Sequence, residues 1–143
     1  MCRQIIALHP SQVILLENNE YSLYRILSEL ELRLSRLQVE TQIRLVPLLC
    51  SVQDNNRVTE TFKFLRPDTV YHAAAYKHVP LVEQNIIEGI KNNVFGTLNV
   101  IQAAISAEVD EFVLISTDKA VRPSNVMGAT KRLGELIAQS LQD

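Results

Sequence analysis

The segment Ser116-Thr117-Asp118-Lys119 sets two hydroxyls, a carboxylate and an ammonium group side by side, directly after the apolar run Phe112-Val113-Leu114-Ile115. The run reads as a buried strand. Its C-terminal tip then carries the polar groups, and in open α/β sheets that tip is where ligands bind. Groups of these types can hold a ligand's hydroxyls and exchange protons with it. Pro123 and Asn125 break the pattern, and a helical pattern restarts near Val126. Met127 and Lys131 stand four apart in it and share one helical face. Taken alone, the same residues also fit a polar surface turn, where an Asp118–Lys119 pair contributes ~0–1 kcal/mol, and Met-x-x-x-Lys also fits a core methionine beside a solvated lysine.

The elements that must position these groups follow from periodicity. Met1 to Leu8 reads as a short helix stopped by His9-Pro10. Gln12 to Glu17 is a compact strand ending on an acid. Glu20 to Leu37 has apolar residues at 23, 26, 27, 30, 34 and 37, close to helical spacing. Ile43 to Leu49 is a second strand, which Pro47 assigns to an edge or bends. Asp54 is placed to cap a helix over Asn56 to Leu65, and Arg66-Pro67-Asp68 makes a turn. Thr69 to Ala73 is a third strand, with Ala74 to His78 its outgoing loop and Val79 to Glu83 a short turn. Ile86 to Ser106 reads as one long helix whose face is Ile90, Val94, Leu98, Ile101 and Ile105. Glu111 to Ser116 is the fourth strand and Val126 to Leu141 the last helix. Strands alternating with helices predict an α/β fold, a Rossmann-type parallel sheet with helices on both faces, in a single domain over 1–143.

Composition narrows the function classes. A hydrophobic content of 47% with 21% charged residues is ordinary for a globular protein, and a net charge of −2 points to neither nucleic acid nor an anionic membrane surface as partner. The apolar runs are too short to span a bilayer, and residues 1–10 lack a secretory pattern. Cys2 and Cys50 make no metal or redox spacing, and His72 and His78 have no accompanying ligands, so no metal site is expected. The setting expected is cytoplasmic. Tyr21, Tyr24 and Tyr76 read as packing or rim residues.

Read together and in order, four segments carry a resemblance. They are His72-Ala73-Ala74-Ala75-Tyr76-Lys77-His78-Val79-Pro80-Leu81-Val82-Glu83, Asn93-Val94-Phe95-Gly96-Thr97, Ser116 to Pro123, and Asn125-Val126-Met127-Gly128-Ala129-Thr130-Lys131. They closely resemble the CapD-like polysaccharide-biosynthesis family of extended short-chain dehydrogenases, over nearly the whole chain. The resemblance implies a nucleotide-sugar 4,6-dehydratase, typically acting on UDP-N-acetylglucosamine with NAD (or NADP). In short-chain dehydrogenases the position of Met127 is a tyrosine, paired with the lysine at Lys131 that holds the nicotinamide ribose. The methionine is similar to a large branch of the family whose full-length members are anchored to the inner membrane.

By that resemblance Lys119 is the base that takes the sugar's C5 proton, Asp118 the acid that protonates the departing C6 hydroxyl, and Thr117 a holder of the sugar near its C4 oxygen. A lysine base must be neutral, so its pKa has to fall from about 10.4 through desolvation or nearby positive charge, which Lys131 and Lys77 are placed to supply. Lys77 and Asn125 are expected on the substrate side. Glu17 is expected to accept the adenosine ribose hydroxyls, although Asn18-Asn19-Glu20 stands where relatives usually read His-Ser-Glu. Asp54 resembles an adenine contact and serves equally as a helix cap. Ala73, Ala74 and Ala75 are small enough for the cofactor to lie against the backbone; three alanines packed in a buried turn is the alternative.

Two absences stand against this: a Gly-rich turn after an opening strand, and any strand after the last helix, which ends near Asp143. A dinucleotide-binding sheet opens on a strand with a Gly-rich turn, whereas the glycines here are Gly89, Gly96, Gly128 and Gly134, none in the first half. The chain therefore reads as truncated at both ends, a piece of such an enzyme lacking the first strand and the C-terminal part. Three function classes follow: a dehydratase segment, a non-catalytic remnant of a broken reading frame, or a related sugar epimerase or oxidoreductase. Met127 opposes the last, because it can neither ionise nor donate a proton. The expected partner is a nucleotide sugar; homo-oligomerisation stays open.

Overall fold

The structure is a computed structural model, and it describes residues 1–36 and 43–142. The chain divides into two compact units, Met1–Ser51 and Val52–Asp143.

In the first unit a short helix, α1 (Cys2–Ile5), tightens into a 3₁₀ turn (Ile6–Leu8) and stops at His9, which adopts left-handed backbone before Pro10. Strand β1 (Gln12–Glu17) pairs in parallel with β2 (Arg44–Leu49), Gln12 opposite Arg44 through Glu17 opposite Leu49. Helix α2 (Glu20–Arg36) connects them; its expected end at Leu37 lies outside the described residues. Alternation along β1 buries Val13 and Leu15 on one face, and α2 meets that face with Leu23 and Leu30. Ile6 and Ile43 complete the core, and Ile26, Leu27 and Leu34 pack against it. Asn19 starts α2, its Oδ1 accepting from the Ser22 N–H at 2.9 Å. Pro47 lies opposite Leu15 and donates nothing to the ladder, and β1 is the one described neighbour of β2, as an edge position requires.

In the second unit Asp54 caps α3 (Asn55–Leu65), its Oδ1 accepting from Arg57 N–H at 3.0 Å. The helix closes on Arg66 in left-handed backbone (φ 42°), and Pro67 prevents continuation. Strand β3 (Thr69–His72) pairs in parallel with β4 (Glu111–Leu114), Thr69 opposite Glu111 through His72 opposite Leu114. The Ile115 N–H extends the ladder to His72 O at 3.0 Å. Between these strands lie α4 (Val79–Gln84), α5 (Ile86–Ile90), a π turn (Lys91–Phe95) and α6 (Gly96–Ser106). A 3₁₀ turn (Asp118–Ala120) leads to α7 (Val126–Ser140). Each strand pair is a separate two-stranded sheet among the described residues.

Two expectations are corrected. The long helix does not bury Ile90, Val94, Leu98, Ile101 and Ile105 as a single face: Ile105 is 54% exposed, while Asn92, Asn93, Gly96, Thr97, Val100, Ile101, Ala103 and Ala104 are buried. The π turn inserts one residue, which rotates everything after it by ~100°. Helix α6 then packs on α3, around Val58 and Phe62. The run Phe112 to Ile115 is also not buried on both faces. Phe112 and Leu114 are half-buried, but Val113 and Ile115 are exposed, because β4 has β3 as its one described neighbour.

Candidate active site at the tip of β4

After β4 the backbone stays extended through Thr117 (φ −147°, ψ 154°) and then folds into the 3₁₀ turn. Thr117 controls that turn twice: its Oγ1 accepts from the Lys119 N–H at 3.4 Å and donates to Asp118 Oδ1 at 2.9 Å. Lys119 Nζ lies 3.4 Å from the same carboxylate oxygen. Ala120, fully buried, anchors the turn. The side chains of Asp118 and Lys119 are 86% and 50% exposed, so both can reach a ligand. The Thr117 hydroxyl first, and then the Lys119 ammonium, hold the Asp118 carboxyl below the usual carboxylate range. The chain next passes Arg122, held in left-handed backbone (φ 51°) before Pro123, and enters α7 at Asn125.

Helix α7 grips this turn from several points. Asn125 Oδ1 accepts from the Gly128 N–H at 2.8 Å, and Glu83 Oε1, from α4, accepts from the Val126 N–H at 2.6 Å. Gly128 backs onto the turn: a Cβ there would lie 2.3 Å from the Lys119 carbonyl oxygen. One turn on, Lys131 Nζ donates to Ile115 O at 2.7 Å, and the Ser116 hydroxyl donates to Glu135 Oε1 at 2.5 Å. Partial burial lowers the Lys131 ammonium below its usual value against the opposing pull of Glu135. Glu135 is itself lowered, first by the Ser116 hydroxyl and then by Arg132. Met127 is buried. Thus Thr117, Asp118, Lys119, Asn125, Met127 and Lys131 belong to one turn-and-helix assembly.

The other expected residues are placed as follows. Ala73 is exposed and Ala74 and Ala75 are half-buried, in irregular chain after β3. They are not fully buried, so part of their surface is open to a ligand. Lys77 is exposed. Asp54 is the cap of α3. Glu17, in the first unit, is half-buried and accepts from the Asn18 and Asn19 N–H groups at 2.9 and 3.0 Å. No three His, Cys, Asp or Glu side chains converge among the described residues, and no described helix is long and apolar enough to cross a membrane.

Sequence reasoning missed a buried polar network behind the site. Asn93, 1% exposed, fills its hydrogen-bonding capacity. Its Oδ1 accepts from the Tyr76 N–H (2.8 Å) and from Asn92 Nδ2 (3.1 Å), and its Nδ2 donates to Tyr76 O (3.0 Å) and Thr130 Oγ1 (2.9 Å). Thr130 donates onward to Met127 O at 2.7 Å. The loop after β3 is thereby tied to α7. Thr97 spends its one O–H on Asn93 O (2.6 Å), so the 2.9 Å contact with His72 Nε2 requires that nitrogen to carry the proton. His72 is neutral, its pKa lowered to about 4 by burial and then by the charge of Lys131. The available signal was two adjacent asparagines inside an apolar helical pattern, where asparagine is disfavoured unless its side chain is used.

Comparison with known proteins adds ancestry to this geometry. The family model described as "Polysaccharide biosynthesis protein" matches residues 1–143. The capsular polysaccharide biosynthesis protein CapD of Staphylococcus aureus is 48% identical over 143 residues, 100% of this chain and 23% of that protein. A UDP-N-acetylglucosamine 4,6-dehydratase (inverting) of Campylobacter jejuni is 45% identical over 80 residues, 56% of this chain and 23% of that protein. A UDP-glucose 4-epimerase of Rickettsia canadensis is 52% identical over 71 residues, 50% of this chain and 21% of that protein. Among solved structures, Pen from Bacillus thuringiensis superposes with a TM-score of 0.81 at 32% identity, covering 98% of this chain and 40% of that one. DesIV, a dTDP-glucose 4,6-dehydratase from Streptomyces venezuelae with NAD and TYD bound, superposes at 0.72 and 21% identity, covering 97% and 46%. The fold is accordingly of the Rossmann type, and the chain spans about a quarter of the length of these curated relatives.

Proposed function

Because the chain belongs to the polysaccharide biosynthesis protein family, we propose that Thr117, Asp118 and Lys119 are the acid–base apparatus of a nucleotide-sugar 4,6-dehydratase, with UDP-N-acetylglucosamine as substrate. The observation that carries this is the compact turn at the β4 tip. A carboxylate and an ammonium lie 3.4 Å apart there, both reachable from solvent, with the backbone between them braced by Gly128.

NAD (or NADP), when bound, would supply oxidation at C4 of the sugar and reduction at C6. In the second unit, Lys131 and the small residues Ala73, Ala74 and Ala75 would face the nicotinamide ribose and Asp54 the adenine; in the first unit, Glu17 would accept the adenosine ribose hydroxyls. With C4 a ketone, the C5 proton is acidified. Lys119 takes that proton after giving up the ammonium proton it carries beside Asp118, the C5–H electron pair becomes the C5–C6 double bond, and the C6 hydroxyl leaves as water with a proton from Asp118. Asp118 must be protonated for this, the reverse of the direction its present partners impose. A sugar that displaces the Thr117 hydroxyl and the Lys119 ammonium from Asp118, and excludes water, removes both causes of the depression. Lys77 and Asn125 complete the substrate side.

Epimerase chemistry has the Rickettsia relative in its favour. Met127, buried and unable to exchange a proton, favours the dehydratase. In a full-length protein carrying this stretch, Lys119→Ala should lower formation of the 4-keto-6-deoxy sugar by about 10²–10⁴-fold. Retained product formation would assign the base elsewhere.

A further inference from the structure

Glu83 stands on α4, directly after the loop that carries Lys77, and its carboxylate reaches the first amide of α7 across a sequence separation of 43 residues. That amide is one of the four that a helix N-terminus leaves without an intrahelical acceptor, and a negative charge is favoured there. The helix already has a local cap: Asn125 takes the Gly128 N–H. Glu83 therefore adds an anchor from a different element rather than duplicating the cap. The turn it anchors has no slack toward the candidate site. Gly128 presses against the Lys119 carbonyl, and its missing Cβ would also lie 3.2 Å from Pro123 Cβ. A displacement of the first turn of α7 must be passed to the backbone of Lys119.

We propose that Glu83 is a positioning residue for the Asp118–Lys119 pair: through Val126 and Gly128 it links α4, and with it the Lys77 loop, to the backbone that aims both side chains. The geometric part stands on the contacts alone; the effect on turnover rests on the acid–base role proposed above. The required property is an acceptor oxygen at that reach. Glu83→Gln keeps one and Glu83→Ala removes it.

The test pairs amide spectroscopy on this chain with kinetics in a full-length protein carrying it. Glu83→Ala should move the amide resonances of Val126, Gly128 and Lys119 together, and Glu83→Gln should restore them. In the kinetic arm Glu83→Ala should lower kcat by about 10- to 100-fold with KM for the nucleotide sugar within about twofold, and Glu83→Gln should recover most of kcat. A Val126 shift without a Lys119 shift would reduce Glu83 to a local cap and overturn the proposal, as would an unchanged kcat or failure of Glu83→Gln to rescue. If the unsubstituted protein forms no 4-keto product, the dehydratase reading falls, and the amide shifts by themselves decide the Glu83 link.

Discussion

At the scale of single residues, Gly128 and His72 are the most exacting positions. Gly128 lies where a Cβ would meet a backbone oxygen at 2.3 Å, a group that cannot rotate away. Gly128→Ala should therefore cost about 1–3 kcal/mol of stability, read from urea unfolding, and should reduce formation of the proposed 4-keto product in a full-length protein carrying this stretch even where the fold survives. His72 has a folded pKa of about 4 against an ordinary value of 6.5, with burial the first cause. Between those values the unfolded chain binds a proton that the folded chain does not. This contribution to stability is complete above pH 6.5, is lost as pH falls toward 4, and levels off below that. Its full size is about 3 kcal/mol at most. His72→Gln, which keeps a donor for Thr97, should flatten the urea midpoint between pH 4.5 and 6.5. The triplet Thr117-Asp118-Lys119, proposed as the acid–base apparatus, was legible in the sequence because its members are contiguous. Glu83, Asn93 and Glu135 were not, because their partners lie 43, 37 and 19 residues away.

At the scale of elements, local signals did well wherever one segment decides its own conformation. Strand β1 has the expected bounds, and α3 starts where Asp54 offers its carboxylate. The structure forms that cap, with Arg57 N–H 3.0 Å from Asp54 Oδ1, so Asp54→Ala should cost about 1 kcal/mol while Asp54→Asn stays nearly neutral. Thermal unfolding reads the first effect. If Asp54 also contacts adenine, Asp54→Asn should weaken nucleotide binding without loss of stability. The π turn at Lys91–Phe95 was not legible, since a pattern of apolar residues at 3.6 spacing assumes an unbroken helix. Its consequence reaches the candidate site. It turns Asn92, Asn93 and Thr97 inward, where Asn93 holds both polar groups of Tyr76 and the hydroxyl of Thr130. The loop after β3 and helix α7 are positioned by that asparagine.

For the whole molecule, the two compact units and the glycine distribution set the terms. The first glycine in the chain is Gly89, so neither β1 nor β3 is followed by the Gly-rich turn that brings a pyrophosphate onto a helix N-terminus. Within the second unit, the Lys131 proposed for a ribose has no Gly-rich turn beside it to neutralise a pyrophosphate. Isothermal titration of these 143 residues with NAD should therefore show binding weaker than micromolar, whereas micromolar affinity would mean that other groups neutralise the pyrophosphate.

The alternation of strands and helices, the α/β class, the contiguous Thr117-Asp118-Lys119 and the helical position of Lys131 follow from the sequence by itself, together with the family to which these segments point. Each rests on residues near one another in the chain, where spacing alone constrains geometry. The tertiary structure decided which way the long helix faces, that Ala73 is exposed with Ala74 and Ala75 half-buried, and that Glu83, Asn93 and Glu135 brace the turn and helix around Asp118 and Lys119. These depend on which distant groups share a few ångströms of space, and on how burial shifts the balance between charge, hydrogen bond and water.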